Sequence, residues 1–127
     1  MTLNELITDI KNEPDDIDAY QVVILSKSGE DDGMKVFNIE DIREDGPDLN
    51  LVKGELQKES TFCFKDFLDK LLMLQKNFGE SVLYSAEYEK LNDRWGAHLD
   101  LPITGYAIND EMKMFALLDF LPELEKK

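Results

Sequence analysis

Carboxylates are the commonest chemically capable side chains in this chain, and 11 of the 28 fall into three clusters in its first half. The first is Asp15, Asp16 and Asp18, the second Glu30, Asp31 and Asp32, the third Glu40, Asp41, Glu44, Asp45 and Asp48. Such groups can hold a metal ion, act as general acids and bases, or meet a cationic partner. Calcium is the first candidate. Setting Gly33 at the sixth place of a helix-loop-helix calcium loop puts Ser28 first, Glu30 third, Asp32 fifth and Ile39 twelfth, where a bidentate carboxylate is required. Isoleucine cannot supply it. A zinc site wants Cys and His ligands, and the chain has one of each, Cys63 and His98.

Nucleophilic catalysis fares no better. His98 would have to serve as base, and no Gly-x-Ser-x-Gly turn accompanies it. Asp48 followed by Glu55 and Lys58 matches the carboxylate and lysine set of a metal-dependent nuclease in outline only. Two residues separate the acid from the lysine instead of one, which turns them to opposite faces of a strand. The seven glycines are dispersed, so no phosphate-cradling loop is formed. No catalytic residue, metal or cofactor is therefore expected, and the protein reads as a non-enzyme. Cys63 reads as a small buried hydrophobe and His98 as a surface residue.

Charge narrows the partners. Twenty-eight acidic against 14 basic side chains give a net charge of -14 over 127 residues. Nucleic-acid binding draws on Lys and Arg to neutralise phosphates, so a direct nucleic-acid ligand is excluded and a basic protein is favoured. Residues 1–60 hold 16 acids and 6 bases, and residues 61–127 hold 12 and 8. Density of this kind is self-repelling, which points to a use for it. Salt adaptation is a poor explanation, because 12 of the basic residues are lysine and two are arginine. In the less charged half, Tyr84, Tyr88, Trp95 and Tyr106 are candidate interface anchors.

The elements that must position these residues are read from periodicity. Leu3, Leu6, Ile7 and Ile10, with Thr2 and Glu5 as a capping box, predict a helix over 2–13, ended by Pro14. Tyr20–Ser26 and Met34–Ile39 read as a hairpin around Gly29 and Gly33. Ile42–Asp48 reads as a loop and Leu49–Lys53 as a third strand. The broadest apolar stripe, from Phe64 to Phe78, predicts a helix over 61–78, with Ser60 or Thr61 as N-cap and Gly79 closing it. Ser81–Ser85 suggests a short strand, Ala86–Trp95 a helix on the spacing of Tyr88, Leu91 and Trp95, and His98–Ile108 an extended segment. Asn109–Leu121 reads as a helix with Asn109 near its cap, although a strand over Met112–Leu118 fits the same apolar run. The sum is a single α+β domain over 1–127. In it, a small antiparallel sheet, the 20–39 hairpin plus one or two strands, packs on the 61–78 helix and on terminal helices.

One cysteine, no signal-peptide pattern and no long apolar run lead to the expectation of a soluble cytoplasmic protein. In size and charge the chain resembles small acidic antagonists encoded by phages, or antidotes to nuclease toxins, a resemblance carried by no motif. It implies a non-catalytic inhibitor, antidote or nucleic-acid mimic directed at a basic, nucleic-acid-handling partner. An adaptor or assembly subunit of a larger complex is the alternative, and a small metal-assisted hydrolase a more distant one.

Overall fold

Thr2 opens the first helix as its spacing to Glu5 requires. Its side chain accepts from the Glu5 amide at 3.2 Å, and the Glu5 carboxylate accepts from the Thr2 amide at 2.8 Å. The computed structural model describes residues 1–13, 15–27, 34–54, 62–91 and 94–120. They form helix α1 (Leu3–Ile10), a 3-10 turn at Asp15–Ile17, and strands β1 (Gln21–Lys27), β2 (Met34–Asp45) and β3 (Asp48–Gly54). Helix α2 (Phe64–Phe78) follows, then β4 (Leu83–Leu91), β5 (Arg94–Pro102), β6 (Gly105–Asn109) and β7 (Met114–Leu118).

All seven strands join one sheet in the order β5-β4-β3-β2-β1-β7-β6. Two pairs are parallel, β1 with β7 and β3 with β4, and the others antiparallel. This overturns the expected small antiparallel sheet packed on amphipathic helices: the described residues form a mixed, curled half-barrel with two α-helices. Its curvature follows from connectivity. β5 and β6 are consecutive in sequence, occupy opposite edges of the sheet, and are joined by Ile103 and Thr104 alone. Six interstrand spacings in a flat sheet would part the edges by about 29 Å. The link from Pro102 to Gly105 reaches at most about 11 Å. The sheet must curl, and the link is pinned on both sides: the Ile103 amide donates to Leu83 O at 2.9 Å and the Thr104 amide to Leu118 O at 2.8 Å.

Alternation sends Val22, Ile24, Ile39, Leu49, Leu51, Leu83, Phe115 and Leu117 to the face that meets the helices, where all are buried. Leu3, Leu6, Ile7 and Ile10 of α1, and Phe64, Phe67 and Leu71 of α2, complete this core. Ile103, fully buried, seals it from the closing link.

Several local expectations are corrected. Helix α2 starts at Phe64 with Cys63 as N-cap and no side-chain cap bond, while Ser60 and Thr61 lie outside the described residues. Gly79 has φ -56° and so is not a left-handed terminator. It is small because the Asn4 side chain lies against it, with the Asn4 amide donating to Gly79 O at 2.9 Å. The predicted loop Ile42–Asp48 is instead the end of β2 and a tight turn, with Asp45 opposite Asp48 and Gly46 at φ +61°. The predicted helix over 86–95 is the β4 and β5 hairpin, Leu91 pairing with Arg94. Three residues at helical spacing were outweighed there by the pairing of β4 with β5.

The predicted terminal helix over 109–121 is strand β7, as the alternative had it. Its unbroken apolar run reflects a place between β1 and β6, with Phe115, Leu117 and Leu118 buried. Asn109 caps a turn, not a helix, accepting from the Met112 amide at 3.0 Å. The β1 and β2 pairing matches the expected hairpin, whose turn at 28–33 lies outside the described residues.

Phe67 has no exposed surface, so Phe67→Ala is expected to cost about 3–5 kcal/mol in urea denaturation. Met73→Ala, at a position 75% exposed on α2, is expected to stay within about 0.5 kcal/mol of the parent.

Candidate functional site

Strand direction decides where the acidic clusters lie. β1, β3, β4 and β7 run the same way, so the 3-10 turn before β1, the β6 to β7 turn and the β2 to β3 turn gather at one end of the sheet. Two of the three sequence clusters arrive there together. Asp15, Asp16 and Asp18 lie in and beside the 3-10 turn, with Asp16 exposed and Asp18 half-buried. Glu40, Asp41, Glu44 and Asp45 run along the last part of β2 toward the same end, and Asp48 begins β3 there. Glu40, Asp41 and Glu44 are exposed. Asp110 and Glu111, exposed in the β6 to β7 turn and not anticipated from the sequence, are added to this group by the fold. Glu30, Asp31 and Asp32 lie outside the described residues.

Local bonds show which of these carboxylates are structural. Asp110 accepts from the Tyr20 hydroxyl at 2.7 Å, which ties the β6 to β7 turn to the start of β1. That bond, burial and the negative charges of Asp110 and Asp16 push the Tyr20 phenol above its ordinary pKa. Asp48 accepts from the Val82 amide at 3.4 Å, joining β3 to the approach of β4. Asp41 pairs with Arg43 at 3.4 Å on the exposed surface, an interaction worth about 0–1 kcal/mol. Among the described residues Glu40 and Glu44 enter no ion pair.

The aromatic candidates separate. Tyr84 lies on the face away from the helices, beside Asn50, which is itself opposite Arg43, so Tyr84 shares a face with the Asp41 and Arg43 pair. Tyr106 lies on the helix-facing side, stacked on Phe115 with centroids 5.1 Å apart. Its hydroxyl donates to Glu13 at 2.9 Å, fastening β6 to the segment after α1. Burial, then that bond and the charges of Glu13 and Asp9, push its pKa up to about 12. Tyr88 belongs to β4 and Trp95 to β5, and only their backbone is described.

A polar cluster inside the half-barrel was likewise not anticipated from the sequence. The Asp119 carboxylate, 1% exposed, receives three partners on one oxygen. Ser26 of β1 donates to Oδ2 at 2.6 Å, Ser85 of β4 donates to it at 2.7 Å, and Lys53 Nζ of β3 lies 3.3 Å away. The Lys53 side chain is 3% exposed and its ammonium sits 4.8 Å from the centre of the Phe37 ring. Because β1 and β4 are separated by β2 and β3, one oxygen can touch both serines only in a curled sheet. A signal for the cluster exists in the pattern. Ser26 follows Val22 and Ile24, Lys53 follows Leu49 and Leu51, Ser85 follows Leu83, and Asp119 follows Phe115 and Leu117, each on the inward phase of its strand.

Cys63 is half-buried, His98 is described only by its backbone, and Glu55 and Lys58 lie outside the described residues. Among the described residues no three His, Cys, Asp or Glu side chains converge as metal ligands. No helix among them is long and apolar enough to cross a membrane. Comparison with protein-family models, with curated proteins and with solved structures finds no match for this chain.

Removing one member of the buried pair strands the other, so Asp119→Ala is expected to cost about 3–5 kcal/mol in urea denaturation. The double variant Lys53→Met/Asp119→Leu, which leaves no charge behind, should cost less than that single change. For Tyr106, the folded pKa of about 12 exceeds the unfolded value of 10.0, so the folded state holds the proton more tightly. Its contribution to stability is complete below pH 10.0 and lost as pH rises toward about 12. Denaturation midpoints across this window should fall less steeply in Tyr106→Phe than in the parent.

Proposed function

We propose that this protein is a non-catalytic inhibitor or antidote that binds a basic, nucleic-acid-handling protein, its carboxylates occupying places meant for phosphates. One observation carries the reading: the topology collects two carboxylate clusters distant in sequence, together with Asp110 and Glu111, at one end of the sheet. Complementary fields of this kind raise encounter rates by orders of magnitude and fall off with salt. A cytoplasmic location belongs to the same reading, since the lone cysteine suits a reducing compartment.

Affinity capture from the native host at low and high salt tests it. The expected partner is basic, binds nucleic acid, and is lost as ionic strength rises. With that partner purified, the triple variant Asp16→Asn/Glu44→Gln/Glu111→Gln should associate at least about tenfold more slowly with an unchanged melting temperature. A neutral partner held equally well at high salt would sink the reading.

A further inference from the structure

The Asp119 carboxylate is used unevenly. Oδ2 takes Ser26, Ser85 and Lys53, whereas Oδ1, equally enclosed, accepts from no donor among the described residues. A carboxylate offers about four lone-pair sites, and an enclosed oxygen without a donor is costly, more so when it carries charge. Internal rearrangement does not cure this. Exchanging the two oxygens leaves the other one bare.

We propose that Asp119 Oδ1 is the binding site of an ordered internal water, trapped when the half-barrel closes. Water is the smallest group that donates, and buried waters sit where polar groups converge and supply two to four partners. The carboxylate, the Lys53 ammonium and the hydroxyls of Ser26 and Ser85 make this such a place. Closure is then completed by the water as well as by the three direct contacts. β7 is the last described strand, so the site exists only after it has docked on β1.

A high-resolution crystal structure of the intact chain tests this directly. An ordered water within about 3.2 Å of Oδ1 is expected. Well-defined density in which Oδ1 is dry, or bonded to a protein donor, overturns the proposal. Magnetic relaxation dispersion of solvent nuclei gives a second reading in solution. Lys53→Met/Asp119→Leu should show one long-lived internal water fewer than the parent, and an unchanged number overturns the proposal too. Should that variant not fold, the crystal structure of the parent still decides.

Discussion

The two-residue link between β5 and β6 is the constraint on which the rest of the structure depends. It joins the two edges of a seven-stranded sheet, so the sheet has no flat alternative. Once curled, its inner face encloses a space that α1, α2 and the inward strand residues fill with aliphatic and aromatic side chains. Ile103 is part of that filling as well as part of the link, which makes closure and core formation a single event.

Curling also creates the need that the polar cluster meets. Apolar side chains fill the part of the inner face against the helices, and beyond them the strands present Ser26, Lys53 and Ser85. Asp119 answers all three with one oxygen. A buried ion pair of this sort is weak as a source of stability, because desolvation offsets most of the attraction. Its value lies in geometry: the groups come from β1, β3, β4 and the end of β7, so they are satisfied together only when the sheet has its native curl and register.

The surface follows the opposite logic. Of the carboxylates at the end of the sheet where β1, β3, β4 and β7 begin, Asp48 and Asp110 hold neighbouring segments together and Asp41 meets Arg43. Asp16, Glu40, Glu44 and Glu111 are exposed, where mutual repulsion is screened by salt.

Much of the local structure is legible in the residues. The capping box of Thr2 and Glu5, the apolar stripe of α2 and the alternation of β1 to β3 are signals within a dozen residues, and each lies close to the element it predicts. The excess of acid, the poverty of Cys and His, and the lack of any catalytic spacing are equally plain. What failed depended on strand partners. Whether 86–95 and 114–118 are helix or strand was decided by strand pairing, β4 with β5 for the first and β7 with β1 for the second, because a short apolar run satisfies either period until an edge is offered to it. The inward phase of Lys53 and Asp119 was present in the sequence, but their meeting was not, since 65 intervening residues separate them and only closure brings them within 3.3 Å. Composition and periodicity by themselves determined the charge, the helices and the first strands; the curl, the strand order, the buried pair and the gathering of the acidic turns at one end were decided by tertiary structure, because each is a relation between strands that no local energy encodes.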